Sequence, residues 1–341
     1  MPENQLPWGE AIVEGSLEWS FLAPSDLPEI ADLCQAIEYF DDPTQHRELS
    51  GLQEDFDRPW AYPSNHAVVG RDKGGTIVAY GWNHITPSDD LLPHAWMEIG
   101  VHPAWRHHKI GVKLVEWLID RARAWYRHIR ETHVRIGPLW VGCAADEGSR
   151  VADDLQASGL LGPQRWFCDA HRSLTDAPHP LVVPPAGVEL RAFEREWSEK
   201  VRQAHNMAFG TRHGSHDVPQ DAWQASLERT DSRPEWSWIA VPTDDRDAPV
   251  VGYAINCEII DAQTGWREGW TERIGVVPAY QGAGLAHALL AASMQRFADR
   301  GCVLAGIGID TDNLAESESL FGGMGYRFED RVVLYGATFN D

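Results

Sequence analysis

Residues 274–292 read Ile274-Gly275-Val276-Val277-Pro278-Ala279-Tyr280-Gln281-Gly282-Ala283-Gly284-Leu285-Ala286-His287-Ala288-Leu289-Leu290-Ala291-Ala292, and the rest of the chain is organised around them. A short β-branched run over 274–277 predicts a strand, and Pro278 ends it. The turn Gly282-Ala283-Gly284 then feeds an Ala/Leu-rich helix with no breaker before Gly301. Two glycines let a backbone come close to an anion, and the helix N-terminus adds the positive end of its dipole. The same pattern also fits a plain strand-to-helix turn whose glycines only allow close packing.

Working outward, the stretch recurs. Val101-His102-Pro103-Ala104-Trp105-Arg106-His107-His108-Lys109-Ile110-Gly111 aligns without a gap with residues 276–286, and an amphipathic helix follows it to about Trp125. The helix expected over 26–40 answers one over 194–209. Strand 76–83 answers 250–258, and strand 134–142 answers 303–310. A helix over 147–159 answers one over 313–325. The order β, α, α, β, β, β, α, β, α, β therefore occurs twice, an α+β chain of two tandem domains: 1–173, a proline-rich linker over 174–188 with Pro178, Pro180, Pro184 and Pro185, and 189–341.

The pattern Gln-x-x-Gly-x-Ala over 281–286, led by Val276 and Pro278, resembles the acetyl-CoA pyrophosphate loop of the GNAT N-acetyltransferase superfamily. The doubled order resembles its tandem members, above all the mycothiol synthase group, as does Asn206-Met207-Ala208-Phe209 with His213, Gly214 and Trp223. The resemblance implies two GNAT domains, each a mixed, mostly antiparallel sheet flanked by helices, with acetyl-CoA as cosubstrate. It implies a C-terminal active domain, a degenerate N-terminal one and a small-molecule amine acceptor. The cofactor side then falls to Val276, Val277, Gln281, Gly282, Ala283, Gly284, Leu285, Ala286, Asn313 and Phe321. Activity proper to mycothiol synthase, or a non-catalytic acyl-CoA or partner-binding role, stand as alternatives.

Composition bounds the function. The 341 residues suit two domains, and Lys+Arg 29 against Asp+Glu 51 gives a formal charge of −22. That balance disfavours a nucleic-acid backbone or an anionic membrane surface and favours a cationic amine. No apolar run reaches the roughly 18 residues of a membrane span, and the acidic N-terminus does not read as a secretion signal. A soluble cytoplasmic protein is expected. Five scattered cysteines without a Cys-x-x-Cys pair suggest neither a disulfide framework nor a metal site.

Acyl transfer needs a deprotonated amine, a polarised carbonyl and a thiolate leaving group. A free amine has a pKa of about 10, so a carboxylate on the strand before the loop would accept its proton. Glu272 lies there as the candidate catalytic base, with Glu258 and Glu268 as nearby alternatives. The main-chain N–H of Val276 or Val277 is the candidate carbonyl donor. Phe321 stands where the family resemblance implies a tyrosine acid, leaving Tyr326, Tyr280 or a water for that step, and Asn313 either lies near the pantetheine arm or N-caps a helix. His205, His213 and His216 sit in the stretch expected to cover the acceptor. Trp236, Trp238, Trp266 and Trp270 fit core and interface positions better than an aromatic cage. In the first half His107 and Lys109 replace Gly282 and Gly284, which sets side chains where a pyrophosphate needs bare backbone.

Overall fold

The computed structural model describes residues 12, 16–44, 46–58, 63–85, 92–132, 136–176, 178–209, 217–243, 249–261 and 265–340. Its strands in chain order are β1 (Glu18–Phe21), β2 (Ala67–Arg71), β3 (Ile77–Ile85), β4 (His94–Val101), β5 (Leu139–Asp146), β6 (Gly162–Ser173), β7 (Val188–Ala192), β8 (Trp238–Pro242), β9 (Gly252–Ile260), β10 (Arg267–Val276), β11 (Leu304–Thr311) and β12 (Arg327–Phe339). The helices are α1 (Leu27–Asp41), α2 (Leu49–Phe56), α3 (Pro63–His66), α4 (Ile110–Thr132), α5 (Arg150–Ser158), α6 (Ser198–Phe209), α7 (Gln220–Leu227), α8 (Leu285–Asp299) and α9 (Leu314–Ser317). A π-helical turn, Glu318–Gly322, continues α9, so the helix expected over 313–325 is short and broken.

The chain forms two compact units, Met1–Phe167 with Asp330–Asp341, and Cys168–Glu329. In unit 1 the strands run β1-β2-β3-β4-β5-β12, and in unit 2 β6-β11-β10-β9-β8-β7. Neighbours are antiparallel along most of each sheet, with parallel pairs β4–β5 and β10–β11 at matching places. Helix against sheet is close because the strands carry glycines where the helices lean. A Cβ on Gly81 would lie 2.9 Å from Leu114 of α4, and one on Gly252 would lie 3.0 Å from Leu285 of α8. The cores follow from this. In unit 1, Leu118, Ile119, Val141 and Trp125 pack together; in unit 2, Leu285, Leu289, Tyr253 and Ile239 do so, all buried.

The unit boundaries differ from the division at 173 and 189. Strand β12 comes from the end of the chain yet pairs antiparallel with β5, from Val332↔Asp146 to Phe339↔Leu139. Residues 168–173 of β6 lie beside β11, and Leu174 N–H donates to Val303 O at 2.9 Å just beyond them. The reason is packing. Cys168 and Ala170 are buried among Phe297, Ile307 and Tyr326, and the Arg172 guanidinium is buried with a hydrogen bond to Met324 O. A chain starting at residue 174 therefore leaves the β11 edge and this core open. It is expected to show no cooperative thermal transition, whereas a chain starting at 160 regains one; differential scanning calorimetry of the two fragments reads this, and a sharp transition in the shorter one would contradict it.

Candidate active site

The loop from β10 to α8 is built for close approach to its backbone. Gly282 has φ +75° and Gly284 φ +83°, in the left-handed region that glycine enters freely, and a Cβ on either would meet nothing within 4 Å. The backbone there faces open space. Gly284 is the N-cap of α8 and supplies no side-chain cap, so the first N–H groups of the helix lack the partner that a Ser or Asp would give. Gln281 Nε2 donates to Val276 O at 2.9 Å and holds the turn. Ala283 and Ala286 add only methyl groups, while Leu285 is buried and anchors the helix to the core.

Beside the loop, the sheet opens. The parallel register of β10 and β11 runs from Glu268↔Leu304 to Thr271↔Ile307 and stops, although β10 continues to Val276 and β11 to Thr311. On its other side β10 stays paired with β9 as far as Val276↔Gly252. The stretch 273–276 thus presents main-chain groups to the gap. Val277 N–H donates to Val251 O at 3.0 Å and is consumed, so of the two main-chain donors considered from sequence only Val276, whose N–H alternates to the opposite side, faces the opening.

At the mouth of that gap the β9–β10 register slips between Thr271 and Arg273, leaving Glu272 as the extra residue of a β-bulge. Thr271 turns into the core with its hydroxyl buried and without a hydrogen-bond partner. Glu272 points away from α8: Arg229 Nη1 donates to its Oε1 at 3.0 Å, and Cys257 Sγ lies 4.0 Å from its Oε2. Arg229 also binds Asp231. That hydrogen bond, and after it the charge of Glu272, raise the guanidinium above its ordinary value and make it a permanent cation. The alternative carboxylates are committed elsewhere. Burial alone would raise the Glu258 carboxyl, but Arg267 and Arg233 outweigh it and hold it below its ordinary value. Glu268 accepts from His171 Nδ1 at 2.8 Å and, with the hydrogen bond as leading cause, raises the imidazole.

Over the far end of β10, His205 of α6 hydrogen-bonds Tyr253 Oη at 2.5 Å, and Arg273 lies 5.1 Å over the Trp223 ring of α7. Burial, helped by the Arg273 charge, pushes His205 down to about 4, so it is a neutral member of an aromatic wall. His213, Gly214 and His216 lie outside the described residues. Asn313 caps α9, its Oδ1 accepting from Glu316 N at 3.3 Å. Phe321 is buried in the core, edge-on to Tyr326 at 6.0 Å between ring centroids. The Tyr326 hydroxyl is buried without a partner and burial raises its pKa, so it does not stand in for an exposed acid at position 321.

Unit 1 repeats this frame with different side chains around it. Strands β4 and β5 part after Trp96↔Gly142, Lys109 keeps the left-handed φ of Gly284 at +58°, and Arg106 Nε reaches Val101 O at 3.2 Å just as Gln281 reaches Val276 O. But Asp154 leans on the first turn of α4, its Oδ2 only 1.9 Å from where a Cβ on Gly111 would stand, and Arg106 is forked to Asp41. Gly111 matches Ala286, so the Asp154 carboxylate lies against the helix turn that follows the loop. In the place of Arg273, Glu98 is tied to Arg47 at 2.9 Å, Tyr80 at 2.8 Å and His84 at 2.8 Å. Burial works to raise it, yet His84 and Arg47 bring it down to about 2.

A strand parting from its parallel neighbour beside a helix N-terminus repeats in both units, with the uncapped, glycine-led helix in unit 2, and the chain belongs to the acetyltransferase (GNAT) family, whose model matches residues 28–137 and 198–321. Curated proteins similar to it include mycothiol acetyltransferases. That of Thermomonospora curvata is 28% identical over 241 residues, 69% of this chain and 71% of the relative. That of Amycolatopsis mediterranei is 25% identical over 305 residues, 85% and 93% of the two chains. Among solved structures, a GCN5-related N-acetyltransferase from Sphaerobacter thermophilus superposes with a TM-score of 0.59 at 22% identity, covering 96% of this chain and 97% of that one, and shows the same fold. The family makes the chain an acyltransferase. Among the described residues no helix is long and apolar enough to cross a membrane.

Proposed function

We propose that the chain transfers the acetyl group of acetyl-CoA to a primary amine of a small molecule, that the reaction takes place in unit 2, and that unit 1 serves as a non-catalytic scaffold. One observation carries the choice of unit. Gly282 and Gly284 leave the backbone of the turn before α8 without side chains, whereas His107 and Lys109 stand at the matching positions of unit 1 and Asp154 lies against the first turn of α4 at Gly111. The residues fit the cofactor: N–H groups of the 282–286 turn for the pyrophosphate, and the edge of β10 for the amides of the pantetheine arm. Acetyl-CoA supplies the activated thioester when bound.

In the proposed mechanism Val276 N–H polarises the thioester carbonyl and Glu272 accepts the proton of the attacking ammonium, directly or through water. The nitrogen bonds to the acetyl carbon, the carbon–sulfur bond breaks, and the thiolate leaves. A thiol with a pKa of about 8.5 leaves tolerably unprotonated, which suits a site with Phe321 in place of an acid. The names of the relatives favour a mycothiol-related amine, and acetyl-CoA supply fits a cytoplasmic enzyme. Calorimetric titration of the whole chain with acetyl-CoA is expected to give one site per chain. Two sites would return unit 1 to the cofactor-binding role, and none would support a protein that binds partners without catalysis.

A further inference from the structure

The bulge in β10 sets two opposite charges side by side. Glu272 and Arg273 follow one another in the chain yet share a face of the strand, about 3.8 Å apart at their Cα atoms. Glu272 reaches Arg229, just beyond α7, and Arg273 reaches Trp223 within it. Their partners differ in kind. Glu272 has a cation, whereas half-buried Arg273 has the buried Trp223 indole, 5.1 Å from the guanidinium carbon to the ring centroid. A contact with a ring face engages the charge and leaves the N–H donors of a guanidinium without acceptors. Among the described residues, no group accepts a hydrogen bond from Arg273.

Neighbouring charges show what this one lacks. Arg233 and Arg267 grip Glu258, and Arg229 grips Asp231 and Glu272. In unit 1 the matching position holds Glu98, which takes Arg47, Tyr80 and His84 as partners. Around Arg273 stand Trp223, Tyr253 and His205, the last two hydrogen-bonded to each other and His205 neutral. None of the three brings an anion. A partly desolvated cation without a counter-charge is unfavourable, and an ammonium brought to Glu272 would meet it at close range and be repelled. An acceptor that carries its own anion removes both costs.

We infer that the acceptor is an amine that also bears a carboxylate, an amino acid, and that Arg273 binds the carboxylate while Glu272 faces the amine. This rests on Glu272 as the place of the reacting nitrogen. A guanidinium with unused donors takes a carboxylate through two parallel N–H bonds, a fixed geometry that orients the ligand as well as holding it. Sequence reasoning did not select Arg273, because strict alternation along the strand would put it on the face opposite Glu272.

A binding measurement that requires no turnover tests this. The full chain, saturated with CoA, is titrated calorimetrically with the common L-amino acids, β-alanine and 4-aminobutanoate. The tightest of these is then compared with its carboxamide and with the amine that lacks the carboxyl group, both of which keep the ammonium. If CoA itself does not bind, the acetyltransferase reading fails separately and the same comparison is made on the protein alone. The acid is expected to bind at least about tenfold more tightly than either analogue. Arg273→Gln should abolish that preference, Arg273→Lys should keep part of it, and CoA affinity should stay the same in both. Binding of no amino acid, equal affinity for acid and carboxamide, or a preference that survives Arg273→Gln overturns the inference. So does glucosamine, an amine without an anionic group, binding more tightly than every amino acid.

Discussion

Gly284→Glu is expected to weaken acetyl-CoA binding by at least about a hundredfold while leaving the chain folded. The residue holds φ +83°, and an L side chain in that region costs roughly 1–2 kcal/mol. Lys109 shows that this frame tolerates such a residue, since it takes the same conformation at the matching position of unit 1. Apart from its own chain neighbours, nothing lies within 4 Å of the new Cβ, so the side chain projects into the space proposed for the pyrophosphate. Two like charges about 4 Å apart at an effective dielectric of about 20 repel by about 4 kcal/mol, and tenfold in affinity is about 1.4 kcal/mol. Gly284→Ala separates the contributions: it carries the backbone strain without the charge and should cost no more than about tenfold. Titration of both variants, with thermal unfolding as the control for folding, reads the result. Unchanged affinity in Gly284→Glu would remove the 281–286 turn from the cofactor site.

How much of this was legible in the sequence follows from how local each feature is. The loop is encoded by neighbours: a β-branched run, a proline, two glycines at positive φ and an alanine-rich helix, and the structure keeps them in register with residues 101–111. The family resemblance was legible for the same reason. Strand membership was not. β6 and β12 end the two repeats in sequence, and nothing in their composition tells which sheet each completes; the choice is made by Cys168, Ala170 and Arg172 packing under Tyr326, contacts made over about 150 residues. The bulge at Glu272 was equally hidden, because one extra residue reverses which side chains share a face and leaves no mark on the pattern. It decides that Glu272 and Arg273 lie on the same face of β10. His171 could be found only once β6 was placed beside β11.

Glu272→Gln is expected to lower kcat by about a hundredfold or more with acetyl-CoA affinity unchanged, since a positioned general base contributes roughly 10² to 10⁴. An amine of pKa about 10 is free base in only about one molecule per thousand at pH 7, so removing its proton is a substantial part of the barrier. Gln keeps an oxygen for Arg229 Nη1, now 3.0 Å from Glu272 Oε1, and keeps the shape of the bulge, so the change tests charge and basicity more than packing. Arg229 gives the complementary test. It is half-exposed and shared with Asp231, and its loss frees the Glu272 carboxylate without removing it. Arg229→Met should therefore lower kcat less than Glu272→Gln does, and the double variant should be no slower than Glu272→Gln alone, as expected when Arg229 acts through that carboxylate. A Glu272→Gln enzyme with unaltered kcat would move the base elsewhere on the same face. Glu258 would not inherit the role, because two guanidinium groups already hold it, which leaves the Glu268–His171 pair or a water to take the proton.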